Sequence, residues 1–174
     1  MNKRTLLIVL AIALAMQTAH FSEHIAQIIQ IYLLNTRPPQ AHGLLGHIFD
    51  FEWVHYSYNI GLELALLGIW LGFRRLVRQN NYAEIPQGGL RLLLGLVIFQ
   101  GYHAVEHTAK LYQYLFIPLY QSGEVPTPGI LPELTAWPIF LVHFGFNLIV
   151  WAAMALSLWR MSAMRIRQAS VSLA

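Results

Sequence analysis

Four apolar stretches, each long enough to cross a bilayer as a helix, dominate the chain: about residues 5–34, 53–73, 90–117 and 137–159. A hydrocarbon core takes roughly 20 helical residues, and inside it each backbone amide must be satisfied by its own segment. The connections 35–52, 74–89 and 118–136 are short, and the first and last hold several helix-stopping prolines, among them Pro38, Pro39, Pro126, Pro128 and Pro132. Nothing remains for a soluble domain within the 174 residues. The expectation is an all-α fold, a single membrane domain over 1–174 with four transmembrane helices.

Composition supports this. Charged residues make up 11% of the chain, less than half of the roughly 25% of soluble domains. That excludes a water-soluble enzyme and a disordered tail, and the absence of cysteine excludes a disulfide-stapled scaffold. The net charge of +3 reads as topology. Lys3, Arg4, Arg74, Arg75, Arg78, Arg91, Arg160, Arg165 and Arg167 fall on one side, whereas Arg37 stands among Asp50, Glu52, Glu124 and Glu133 on the other. The positive-inside rule then predicts cytoplasmic termini in a bacterial inner membrane, and no nucleic-acid partner. Residues 1–19 also have the look of a signal peptide. Their apolar character continues through Ile25, Ile28, Ile29 and Leu33, so they are read as part of the first span.

The two halves of the chain repeat one another. His20-Phe-Ser-Glu23-His24-Ile-Ala-Gln27 in the first stretch is matched by His103-Ala-Val-Glu106-His107-Thr-Ala-Lys110 in the third. Val54-His55-Tyr-Ser-Tyr-Asn59 in the second is matched by Val142-His143-Phe-Gly-Phe-Asn147 in the fourth, and Gly43-Leu-Leu by Gly129-Ile-Leu in the loops. The chain therefore reads as two tandem homologous helical hairpins, about 5–73 and 90–159, related as parallel repeats.

Residues three and four apart share a helix face. His20, Glu23, His24 and Gln27 thus form one polar stripe, His103, Glu106, His107 and Lys110 a second, and His55, Asn59 and Glu63 a third. An ionisable group at a helix centre costs about 2.5–3.5 kcal/mol on insertion scales, so these groups must face one another. A transition-metal centre explains why they are there: His20, His24, His55, His103, His107 and His143 as ligands with Glu23 and Glu106, holding iron, copper or zinc, as a dinuclear site if both halves are loaded. Glu23, Glu106 and Glu63 are the candidate catalytic carboxylates, with Asn59, Asn147, Gln27 and Lys110 around them.

His-x-x-Glu-His is also the local pattern of peptidases in which two histidines bind zinc and the glutamate activates water. The leading functional expectation is oxidation or hydroxylation of a lipophilic small molecule entering from the bilayer. Zinc-dependent hydrolysis, with Glu23 or Glu106 as base and Asn59 or Asn147 steadying the oxyanion, is an alternative. A b-type haem electron-transfer subunit and a metal or proton transporter are others, and a membrane partner subunit or a homo-oligomer fits a chain this small. Glu63, matched by Trp151 in the second half, would make the two metal positions unequal. His42 and His47 stand in a loop, Tyr32, Trp53, Tyr120 and Trp137 where an interfacial aromatic belt belongs, and Gly68 and Gly72 form a GxxxG.

Overall fold

The computed structural model describes residues 2–46, 51–79, 85–122 and 125–162. His47, Asp50, Asn80, Asn81, Glu124, Arg165 and Arg167 lie outside them. The elements are α1 (Lys3–Tyr32), a 3₁₀ turn (Pro38–Gln40), α2 (Glu52–Arg78), α3 (Gln87–Phe116), two short helices α4 (Pro118–Gln121) and α5 (Leu131–Thr135), and α6 (Ile139–Ser162). No strand occurs among the described residues.

Local chemistry sets the helix ends. The Asn2 side chain caps α1 by accepting the Thr5 N–H at 2.9 Å and its hydroxyl at 3.0 Å. Ile117, held extended because a proline follows, stops α3 and lets Pro118 open α4. Arg75 and Arg78 sit in the last turn of α2 and Arg160 in that of α6, where the carbonyl ends attract cations.

Helices α1, α3 and α6 are long and apolar enough to cross a membrane. Four such helices were expected; three are found among the described residues. The 27-residue α2 is long enough, but Glu52, His55, Asn59, Glu63, Arg74, Arg75 and Arg78 dilute its apolar character. Helix α1 packs chiefly on α6 and α2 chiefly on α3; contacts of α3 with α6 and of α1 with α2 close the ring.

The bundle is divided along its axis. Toward the start of α1, Leu6, Leu10, Leu66, Phe73, Leu93 and Met154 form a fully buried apolar core. Lipid is as apolar as leucine, so in a bilayer such a core is held by close packing rather than by exclusion of water. Gly72 serves that packing: a Cβ there would stand 2.7 Å from Leu6 Cδ2. Gly68 meets no such neighbour within 4 Å, so the GxxxG contributes one close approach. The opposite half of the bundle, below the loops, is polar inside, and Ile12, Met16, Ile98, Val105 and Ile149 point outward around it and its base.

Candidate histidine centre

Directly above the apolar core lies a layer of amides. Gln17 on α1 donates to Asn147 Oδ1 on α6 at 2.9 Å, and Gln100 on α3 donates to Asn59 Oδ1 on α2 at 3.0 Å. Each asparagine passes its own N–H to the carbonyl four residues back, Asn59 to His55 at 2.9 Å and Asn147 to His143 at 3.0 Å. The Tyr58 hydroxyl donates to Gln17 Oε1 at 2.8 Å. Asn59, Asn147, Gln17 and Gln100 are all buried. Such amides remain in an apolar bundle only because they satisfy one another.

The six histidines stand on that floor as one cluster. Along α1, His20 and His24 bring their Nε2 atoms to 3.3 Å; along α3, His103 and His107 bring theirs to 3.2 Å. Both pairs have ring centroids 4.9 Å apart. His55 and His143 fill the space between the pairs. His55 lies 5.5 Å from His20, 6.2 Å from His24 and 5.8 Å from His107, stacked on the last. His143 lies 5.1 Å from His107, 6.0 Å from His24 and 6.3 Å from His103. An aromatic ring backs each pair, Tyr58 on His20 at 4.4 Å and Phe146 on His103 at 4.8 Å. Gln27 Oε1 pairs with His24 Nδ1 at 2.9 Å, while the buried Nδ1 of His107 meets no hydrogen-bond partner among the described residues.

The glutamates Glu23 and Glu106 make hydrogen bonds away from the rings. Each grips the loop that returns over its helix. Glu23 Oε2 accepts the N–H of Leu44 at 2.6 Å and of Leu45 at 3.0 Å. Glu106 accepts the N–H of Ile130 at 2.7 Å and of Leu131 at 2.9 Å, and the Tyr102 hydroxyl at 2.8 Å. Three residues beyond each histidine motif a glutamine completes the grip: Gln30 exchanges two hydrogen bonds with the backbone of Gly43, and Gln113 does the same with Gly129. A loop amide at a helix end needs an acceptor, and a carboxylate is the strongest at hand.

Gly43 and Gly129 have φ of +78° and +81°, and a Cβ would come within 2.5 Å of Glu23 Oε2 and 2.7 Å of Glu106 Oε2. Gly129→Ala should therefore destabilise the protein by about 2 kcal/mol or more, combining the left-handed penalty with a displaced carboxylate. Thermal unfolding in lipid nanodiscs measures it; an unshifted midpoint would refute the role of the clasp.

Toward the loops the cluster opens into a chamber of about 640 Å³ whose floor is His24, His55 and His143 and whose walls include Trp53, Tyr114, Tyr120 and Phe140. One wall carries an ion pair: Lys110 Nζ lies 3.1 Å from Glu52 Oε1, an oxygen that also accepts the Thr127 hydroxyl. Glu52 Oε2 is buried and finds no hydrogen-bond partner among the described residues. A second, smaller cavity of about 250 Å³ reaches His20, His24 and His55 from the side, between α1 and α2.

The structure thus brings together His20, His24, His55, His103, His107 and His143, with Gln27 and Lys110 at their edge. It sets Asn59 and Asn147 beneath the rings, each with its Oδ1 accepting from a glutamine and one of its two N–H bonds donated to a backbone carbonyl. Glu63 sits two turns below His55 against Gly101, whose Cβ would lie 3.6 Å from its Oε1. Trp151 donates to Thr18 Oγ1 at 3.0 Å at the matching place. Among the described residues no group of three or more His, Asp and Glu is gathered at metal-holding distance.

Gln17, Gln100, Gln30, Gln113 and Glu52 escaped the sequence reading. The first four carried a usable signal, since each pair recurs at the same spacing from its histidine motif. Compared with family models, with curated proteins and with solved structures, the chain finds no match in any of the three.

Proposed function

We propose that the chain is an integral membrane metalloprotein of four spans, built from two tandem helical hairpins and holding a transition metal among its six histidines. The Nε2 separations of 3.2 and 3.3 Å in the two i, i+4 pairs carry the reading. Two nitrogens bound at ~2.1 Å to one tetrahedral ion lie about 3.4 Å apart, so each pair is spaced as two ligands of a single ion. Rotation of His55 or His143 about its side-chain bonds would supply a third ligand. The recurrence of the histidine pairs, the amide floor and the loop clasp on the other helix pair supports duplicated hairpins, about 5–73 and 90–159. The basic residues put both termini in the cytoplasm.

An all-nitrogen donor set favours copper, iron or zinc over magnesium or calcium. The reaction we propose is oxidation of a lipophilic molecule. Hydrolysis would need a general base, and Glu23 and Glu106 are engaged with loop amides. A transport path would have to continue through the apolar half below the amides, where Leu6, Leu10, Leu66 and Leu93 are fully buried.

The test is elemental analysis of protein purified into nanodiscs from cells supplied with iron, copper and zinc. About two equivalents of one metal per chain are expected if each ligand pair holds its own ion. Metal-free protein from cells so supplied would overturn the reading, and a Soret band would reassign the centre to haem.

A further inference from the structure

The two halves are not equally reachable. His103 and His143 are 1% and 8% exposed, whereas their counterparts His20 and His55 are half-buried; His24 and His107 are both buried. The side cavity between α1 and α2 accounts for the difference. Ala19, Leu45, Gly46 and Val54 give it apolar walls, and His20, His24 and His55 close its inner end. In the register that pairs His20 with His103, Ala19 falls opposite Tyr102. Tyr102 packs its ring on Phe146 at 5.7 Å and ties its hydroxyl to Glu106 at 2.8 Å, so a fixed aromatic ring stands where the first half has a methyl group.

We infer that the space beside Ala19 is a lateral doorway from the bilayer, which admits the end of a single-chain lipophilic molecule to His20, His24 and His55, while Tyr102 shuts the equivalent doorway of the second half. At about 250 Å³ the cavity is smaller than the ~300–1,000 Å³ of sites that enclose a drug-sized ligand, so it takes a chain end. Glu23, Gln27, His42 and the Tyr58 ring line it beside the imidazoles, and no lysine or arginine does. Glu23 is the one carboxylate in that lining and no fixed cation balances it, so the lining suits a neutral hydrogen-bonding end, such as a hydroxyl, over a carboxylate. On the lipid side, therefore, the first half-site is the substrate-facing one and the second is closed. This deepens the metalloprotein reading and rests on it for the role of the rings.

Diethylpyrocarbonate, a small apolar reagent that acylates accessible imidazoles, tests the doorway in metal-free protein in nanodiscs, with mass spectrometry resolving each histidine. The outcome is independent of whether metal binds, so failure here and failure of the metal assay are separable. His20 should react about tenfold faster than His103, because a shut group is reached only through local opening. Tetradecanol should slow His20 while tetradecanoate leaves it unchanged. Ala19→Tyr should slow His20 by a similar factor and Tyr102→Ala should speed His103. Unfolding raises the reactivity of every histidine, so a fall at His20 cannot come from a damaged fold. Equal rates at His20 and His103, or a His20 rate indifferent to Ala19→Tyr, overturn the doorway; equal protection by the alcohol and the carboxylate overturns the neutral-end assignment.

Discussion

His24→Ala combined with His107→Ala should leave the protein folded and without metal. Each change removes one nitrogen from a pair whose Nε2 atoms stand 3.2 to 3.3 Å apart, so neither pair can chelate. Losing an outer partner of a metal ligand costs about 10- to 100-fold in affinity, and losing the ligand itself should exceed that at each position. The single variants count the ions. If each pair holds its own, His24→Ala and His107→Ala each retain half of the wild-type metal; if one ion is shared across His55 and His143, either abolishes all of it.

Stability gives a second readout. Metal at a hundred times its dissociation constant should stabilise the native chain by about 2.7 kcal/mol, seen as a raised unfolding midpoint, and should leave the double variant's midpoint where it is. Full metal content in the double variant would remove the histidine pairs from the centre.

Much of this centre was legible in the sequence, and the reason is geometric. His-x-x-x-His puts two rings on one helix face whatever surrounds them, so the pairs at His20/His24 and His103/His107 follow from spacing alone. His55 and His143 were placed by the repeat. The loop contacts of Glu23 and Glu106 were not foreseen because spacing fixes only the face on which a carboxylate starts. Both glutamates stand one turn below the point where a loop crosses back over its own helix, and Leu44, Leu45, Ile130 and Leu131 present backbone amides there. A loop's path is not written in helical periodicity.

Glu52 was hidden for a related reason. It reads as an ordinary loop charge, and only the packing of α2 on α3 brings it to Lys110. The fold class was plain from the apolar stretches, yet α2 falls short of the other three in apolar character because it supplies His55, Asn59 and Glu63 to the interior. Groups that build the centre are the same groups that weaken the membrane signal of the helix carrying them.

Glu52→Leu should be among the most destabilising single substitutions in the polar half. Lys110 is buried, with 8% of its side chain exposed, and Glu52 retains 19%. The lysine's partner at 3.1 Å is the only acidic group against it in an ion pair among the described residues. Breaking a buried pair by removing one partner costs about 3–5 kcal/mol, since the remaining charge is left uncompensated. Some exposure of Glu52 to the chamber lets water screen the charge, which places the expected cost at the lower end, near 3 kcal/mol.

The double variant Glu52→Leu/Lys110→Met removes both charges at similar volume and should recover most of that loss, because apolar replacements of buried pairs are often neutral or stabilising. Lys110→Met alone leaves a carboxylate whose Oε1 still accepts the Thr127 hydroxyl, so it should cost less than Glu52→Leu. Unfolding of the four proteins in nanodiscs closes the cycle, with an expected coupling of at least about 2 kcal/mol. Additive losses would mean that Lys110 and Glu52 are solvated independently within the chamber. The apolar double variant should still bind metal through its unaltered histidines, so any change in its metal content would instead place the ion pair in the centre itself.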